Sequence, residues 1–442
     1  MFPRKALLRL IIPLVIEQLL AVTIGMADTV MVTSTGEAAV SGISLVDSIN
    51  ILLIQIFSAL ATGGAVVAAQ YLGRREHQMA NQAAKQLIYA STGVALVVTL
   101  FSLLLRNWIL RLVFGNIDPE VMANAQTYFW LSALSYPFLA LYNAGAALFR
   151  AMGNSKVSML TSLVMNLVNI CGNAMLIYGF GWGVAGAGAA SLVSRALGAV
   201  VMTVLICKPR NVIHTDQLWR ITFKPQMVRN ILRLGIPNGL ENGMFQVGKL
   251  IVQGLVATLG TASIAANAIA NSLTSLAIIP GAAIGMGMVT VVSQCVGARD
   301  YDQAMGYTKK LMGITYLATG GLNLFVFLLA GPLVGLFNLS EAAATLATQV
   351  VRTYSAFCIF IWPAAFTMPN ALRAAGDAKF TMTVSVFSMW LFRVGCCYLM
   401  IQLFHIGLMG AWYAMYIDWI FRAIVFFIRL RSGKWKSAKV ID

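Results

Sequence analysis

The sequence predicts an all-α polytopic membrane protein, with twelve transmembrane helices arranged in two pseudo-symmetric six-helix lobes. Three observations carry that reading. The first is composition: 59% of the 442 residues are hydrophobic, 10% are charged and mean hydropathy is +0.80. A soluble domain of this size needs more polar surface than that. The second is a series of apolar stretches, each about 20 residues or longer and so able to span a bilayer. The third is an internal repeat at a nearly constant offset.

The stretches lie at 8–32, 41–69, 84–105, 121–147, 157–178 and 184–207, then at 231–258, 264–294, 308–333, 346–371, 380–402 and 408–430. The opening MFPRKALLRL runs into the first without a small-residue cleavage site, which reads as an uncleaved helix rather than a signal peptide. Connections after even-numbered spans are basic: Arg74 and Arg75, Arg150 and Lys156, then Lys208, Arg210, Arg220, Lys224 and Arg229. The series continues with Arg299, then Arg373 and Lys379, and closes with the tail Arg429–Lys439. Connections after odd-numbered spans carry almost no base; Arg106 and Arg111, near Asp118 and Glu120, are the exceptions. The positive-inside rule then puts both termini in the cytoplasm. The net charge of +16 is read as this topology signal, and no nucleic-acid partner is expected. The six cysteines lie in or beside apolar stretches without metal-ligand spacing, and read as reduced packing residues.

At an offset of 224, Leu8, Arg9, Leu10, Ile12, Pro13 and Glu17 meet Leu232, Arg233, Leu234, Ile236, Pro237 and Glu241. The same shift pairs Gly36 with Gly260, Gly63 with Gly287, Gln70 with Gln294, Gly73 with Gly297 and Lys85 with Lys309. At 223, RAMGNSK (150–156) meets RAAGDAK (373–379). These matches divide the chain into lobes at 1–207 and 231–442 joined by a basic linker at 208–230. Six spans per lobe is an even number, so both lobes enter the membrane the same way and are related by an axis along its normal. Transporters of this build bind substrate between the repeats. An enzyme is not expected, for no phosphate loop, metal cluster or nucleophile elbow is present and the three His lie at loops or span ends. A channel filter is equally absent.

Within the spans, ionisable and amide residues mark the candidate site. A carboxylate near the bilayer centre costs about 3 kcal/mol on insertion scales, so Asp28 needs a use or a partner. Glu17 lies close to three turns away on the same face. Asn166, Asn169 and Asn173 share a face through their i, i+3, i+7 spacing. The bland alternative for them is interhelical hydrogen bonding. Glu17 and its repeat partner Glu241 suit gating contacts or pairing with bases at the cytoplasmic edge. In the second lobe Glu241, Lys249, Arg393 and Asp418 make two acids and two bases, which suggests mutual neutralisation, either as a structural lock or as a site opened by substrate or a proton.

The motifs IP…ADTVMV in the first span, RAMGNSK, NLVNICGN in the fifth span and GVAGAGAAS at the start of the sixth resemble the multidrug and toxic compound extrusion (MATE) transporters. The resemblance covers nearly the whole chain. It implies a V-shaped fold with a central cleft, and export of organic, often cationic, compounds across the cytoplasmic membrane by antiport against protons or sodium. It carries the family's first-helix aspartate onto Asp28, the fifth-helix asparagine onto Asn169 and the sixth-helix hydroxyl onto Ser191. Where many members have a second aspartate this chain has Asn173. Asp28, Asn169 and Asn173 would be the ligands of a sodium ion, but a single carboxylate favours the proton, since burial disfavours the charged form of an acid. The tenth-span acid of one family branch is missing from FIWPAAFTMPNALRAAG, which has no acid before the loop residue Asp377. The expected partners are a small-molecule substrate and the lipid bilayer, with no cofactor beyond the coupling ion and a monomer as the working unit. The alternative is a related flippase of lipid-linked precursors.

Overall fold

The computed structural model describes residues 2–441 and, within them, every side chain except those of Ile24 and Asp28. Among the described residues there are helices and no strands. The first compact unit, Phe2–Gly239, holds α1 (Arg4–Thr33), α2 (Glu37–Gly73), α3 (His77–Leu104), α4 (Arg106–Phe114), α5 (Pro119–Ala151), α6 (Ser155–Asn173), α7 (Gly183–Ile206) and the start of α8 (Pro225–Ala257). The second, from Leu240 onward, holds the rest of α8 and α9 (Thr261–Ala277), α10 (Ile279–Gly297), α11 (Tyr301–Leu328), α12 (Ala330–Gly335), α13 (Glu341–Phe360), α14 (Pro369–Ala375), α15 (Ala378–Ser388), α16 (Cys396–Tyr398) and α17 (Leu408–Arg431).

Each of the apolar stretches falls on a helix or on a run of abutting helices. Among the described residues nine helices are long and apolar enough to cross a membrane, and ten spans result if α13 and the Pro363–Ala375 segment, bent by 62°, count as one. The stretches on α5 and α8 fall short on composition, and α9 is only 17 residues long. The sequence suggests one helix over 264–294, but the structure interrupts it at Ile278, between α9 and α10. Pro280 explains the break: it offers no N–H to the preceding turn and its ring crowds the carbonyl there. Pro363 stands in the same relation to the bend after α13. Many large apolar side chains point outward, among them Leu96, Phe101, Leu317 and Phe360. Such a surface suits lipid.

The repeat extends to the backbone. Left-handed residues recur at the offset of 224 as Gly36 and Gly260, Arg75 and Arg299, Gly181 and His405, and Gly183 and Gly407. At 223 they recur as Gly115 with Asn338 and Gly153 with Gly376. The helix ends around them are closed alike. Glu76 N–H reaches Tyr71 O and Arg75 N–H reaches Leu72 O, while Asp300 and Arg299 reach Cys295 and Val296. Asn154 and Gly153, and Asp377 and Gly376, repeat the same pair of bonds after α5 and α14. This Schellman closure satisfies the last carbonyls of a helix and turns the chain sharply.

The linker lies against the N-terminal end of α3. Lys85 Nζ donates to Gln217 O at 3.1 Å, Tyr89 Oη to Leu218 O at 2.8 Å, and Asn81 Oδ1 accepts from His214 N–H at 2.9 Å. Elsewhere in this unit small residues let helices approach closely. A Cβ on Gly63 of α2 would stand 2.6 Å from the backbone nitrogen of Gly235. Gly63→Ala is therefore expected to destabilise the protein by about 1–3 kcal/mol through overpacking. Thermal unfolding of the purified protein should show a melting temperature lower by several degrees, with Gly93→Ala, whose added Cβ meets nothing within 4 Å, unchanged.

Candidate functional site

In the first unit α6 presents its three asparagines to different partners. Asn169 Nδ2 donates to Ser191 Oγ on α7 at 3.2 Å, and Asn173 Nδ2 donates to Asn169 Oδ1 at 3.4 Å. Asn173, Asn169 and Ser191 thus form one polar chain across two helices. Asn166 turns back onto its own helix, donating to Ser162 Oγ at 3.3 Å. Directly after Asn173 the helix widens into a π-helical turn, Ala174–Gly179. Such turns are rare and cluster at functional sites. Tyr178 Oη on that turn donates to Met31 O of α1 at 3.3 Å, and α1 packs along α6. Asp28 belongs to this stretch of α1, but its side chain lies outside the described residues.

Glu17 is buried and accepts from Ser158 Oγ at 2.5 Å; Arg150 Nη1 reaches the same hydroxyl at 3.5 Å. Its repeat partner Glu241 meets the repeat partner of Arg150 directly: Arg373 Nη2 lies 2.5 Å from Glu241 Oε1. Arg373 also donates to Asn370 Oδ1 at 3.0 Å. Each unit therefore ties its first helix to the arginine of RAMGNSK or RAAGDAK, through a serine in one and by an ion pair in the other.

The remaining charges of the second unit do not neutralise as a set of four. Asp418 is fully buried, and its Oδ1 accepts from Arg422 Nε at 2.8 Å and from Ser388 Oγ. Arg393 Nη1 stands further off, 3.8 Å from Asp418 Oδ2. Arg422 Nη2 goes on to Ser385 O at 3.0 Å. Glu241 is taken up by Arg373, and Lys249 has no carboxylate partner among the described residues. Arg422 was legible as a partner, because it sits four residues after Asp418 on one helix.

A second buried network was missed in the first unit. Asn50 Nδ2 donates to Asp47 Oδ1 at 3.1 Å and to Ser132 Oγ at 3.2 Å, while Tyr136 Oη donates to Asn50 Oδ1 at 2.9 Å. Arg195 Nη1 donates to Ser135 Oγ at 2.7 Å close by. The signal was available, since an ionisable residue inside a span is a candidate by default.

The second unit also contains a cavity of about 640 Å³, entered by Lys249 of α8 and by Arg393 of the π-helical stretch Met389–Gly395. Its walls include Tyr354, Trp362, Phe366, Trp412 and Trp419, and among the described residues no Asp or Glu lines it. Arg393 stacks over Phe245 at 5.1 Å, and Arg422 over Phe366 at 5.2 Å. Cationic groups on aromatic faces are favourable contacts.

A family model described as MatE matches residues 13–175 and again 237–399. The chain belongs to the MatE family. The two matches are the two halves of the repeat. Among curated MATE relatives, "Probable multidrug resistance protein NorM" of Thermotoga maritima is 26% identical over 99% of this chain and 94% of that protein. "Uncharacterized transporter YisQ" of Bacillus subtilis is 27% identical over 96% and 93%. A solved structure described as the outward-facing conformation of a multidrug resistance MATE family transporter of the MOP superfamily superposes with a TM-score of 0.90 at 21% identity, covering 98% of this chain and 96% of that one. The fold is that of MATE transporters, and the family is one of multi-pass membrane transporters of the multidrug efflux class.

Removing one member of a buried pair leaves an uncompensated charge, typically about 3–5 kcal/mol. Arg422→Met should therefore lower the melting temperature strongly. Asp418→Leu combined with Arg422→Met should recover only part of the loss in the same melts, since Arg393, 3.8 Å from Asp418, keeps its charge and loses its acid.

Proposed function

We propose that the protein is a secondary active antiporter that exports organic compounds across the cytoplasmic membrane, driven by inward proton flow, with alternating access between its lobes. The observation that carries this reading is the Asn173–Asn169–Ser191 chain. It spans α6 and α7 beside the part of α1 that holds Asp28, at the positions where the family resemblance puts cation coupling. The multidrug resistance names of the relatives support export of organic compounds. Asp28 is the proton carrier in this reading, and Asn169, Asn173 and Ser191 orient it by hydrogen bonds. Asn173 in place of a second carboxylate supports the proton over sodium, since a hard cation favours more anionic oxygen ligands than one. The basic connections after even-numbered spans support both termini in the cytoplasm. The unit at work is a monomer, and its partners are the substrate and the bilayer. The flippase alternative draws on one feature, the cationic lining of the second unit's cavity.

The test is export of a fluorescent organic compound from proteoliposomes under an imposed pH gradient or an imposed sodium gradient. The pH gradient alone should drive export, and Asp28→Asn should abolish it. Sodium-driven export by the wild type, or pH-driven export surviving in Asp28→Asn, would sink this coupling scheme. Asn173→Asp should add a response to sodium that the wild type lacks, because it supplies the missing carboxylate.

A further inference from the structure

By sequence offset, the repeat matches residues of the second unit's cavity to the polar site of the first. At the offset of 224, Asp28 corresponds to Val252, Asn169 to Arg393, Ser191 to Met415 and Gly25 to Lys249. All four of these counterparts line the cavity. One pseudo-symmetric location therefore carries an acid with amides in one lobe and two bases in the other.

The backbone departs from the repeat at the same place. The π-helical turn Ala174–Gly179 has a counterpart in Leu399–Leu403, so that feature is shared. The π-helical stretches Met389–Gly395, which carries Arg393, and Pro363–Thr367, which carries Phe366, have none. Their repeat counterparts are regular parts of α6 and α5. The second lobe has diverged where its cavity wall is built.

The charged groups of that wall are both bases, set beside amides and hydroxyls such as Gln253, Asn271, Thr274 and Ser275 that can donate or accept. Lys249 has no hydrogen bond or ion pair among the described residues, and it is exposed to the cavity. Asp418, the carboxylate nearest Arg393, is held more closely by Arg422. Two arginines thus share Asp418, and of the bases Lys249 and Arg393 face the cavity. The Trp419 indole N–H is buried without a hydrogen-bond partner among the described residues. Asn267 commits its amide oxygen to Trp412 Nε1 at 3.1 Å, which leaves its NH₂ as the group on offer. An organic cation would meet two like charges here. An anion would supply the counter-charge, and the aromatic walls would pack a planar body. The volume suits a ligand of drug size.

We propose that this cavity binds an organic anion, an amphiphile bearing a carboxylate, sulfonate or phosphate on a planar apolar body, with Lys249 and Arg393 on the charge and Trp362, Trp412 and Trp419 on the ring. The inference names the substrate class of the exporter and rests on that reading for its place in transport, though binding itself does not require it.

The test is equilibrium dialysis of the purified protein, in phosphatidylcholine nanodiscs, against 2-naphthoate and its cationic counterpart 2-naphthylmethylammonium. The naphthoate should bind about tenfold more tightly or better, a difference of about 1.4 kcal/mol. Lys249→Gln should erase most of that preference and Lys249→Arg should keep it. Lys249→Glu should reverse it, a result that loss of fold could not mimic. Equal or tighter binding of the ammonium to the wild type, or unchanged naphthoate affinity in Lys249→Gln, would overturn the proposal. Phosphatidylglycerol in the nanodiscs separates the two sources of the anion. Competition with naphthoate assigns the site to a lipid headgroup, and its absence assigns it to a soluble anion. Export that runs while the ammonium binds preferentially would overturn the anion site alone. Anion selectivity without any gradient-driven export would overturn the transport reading alone.

Discussion

Asp418 accepts from Arg422 and Ser388 in a position closed to solvent, and the charge chemistry of the second lobe follows from that bond. A carboxylate in a region without water must be matched, and the match here is made on one helix, four residues away. Because Arg422 answers Asp418 at 2.8 Å, Arg393 is left with a looser contact at 3.8 Å. Glu241 is engaged by Arg373 through Oε1, and it stands roughly 12 Å along α8 from Lys249. The surplus of base is then directed into a cavity walled by indoles and phenyl rings.

The first lobe meets the same constraint with amides and hydroxyls. Glu17 is held through Ser158, and Asn173, Asn169 and Ser191 pass a single line of hydrogen bonds between α6 and α7. Polar side chains in a membrane interior hold helices together, and the same bonds can orient a group that gains and loses a proton. The repeat thus sets amides and a hydroxyl on one lobe's helices and Arg393 and Lys249 in the other's cavity. The turns between helices did not diverge. Paired left-handed residues and matched Schellman closures keep the helix order, while side chains on the helix faces vary.

Much of the fold was legible because the bilayer leaves few options. Only helices satisfy their own backbone polar groups in hydrocarbon, so apolar runs of sufficient length read directly as helical segments, and the constant offset exposed the repeat. The interruptions at Ile278 and after Phe360 were less visible. Hydropathy does not register a proline that breaks a helix without changing its polarity. Of the site, Asn169, Asn173 and Ser191 were found by motif and spacing and are joined in space. Asp47 and Arg195 satisfied the rule that singled out Asp28 and were overlooked, because no motif drew attention to them.

What the sequence by itself determined is the helical membrane fold, the two-fold repetition and the family, since each depends on local composition or on the order of residues along the chain. The tertiary structure alone decided which charges meet. Glu241 finds Arg373, 132 residues away, and Lys249 finds no acid among the described residues. Pairing in a low-dielectric interior is set by ångström distances between side chains on different helices, and two π-helical stretches shift those side chains out of the register that helical periodicity predicts.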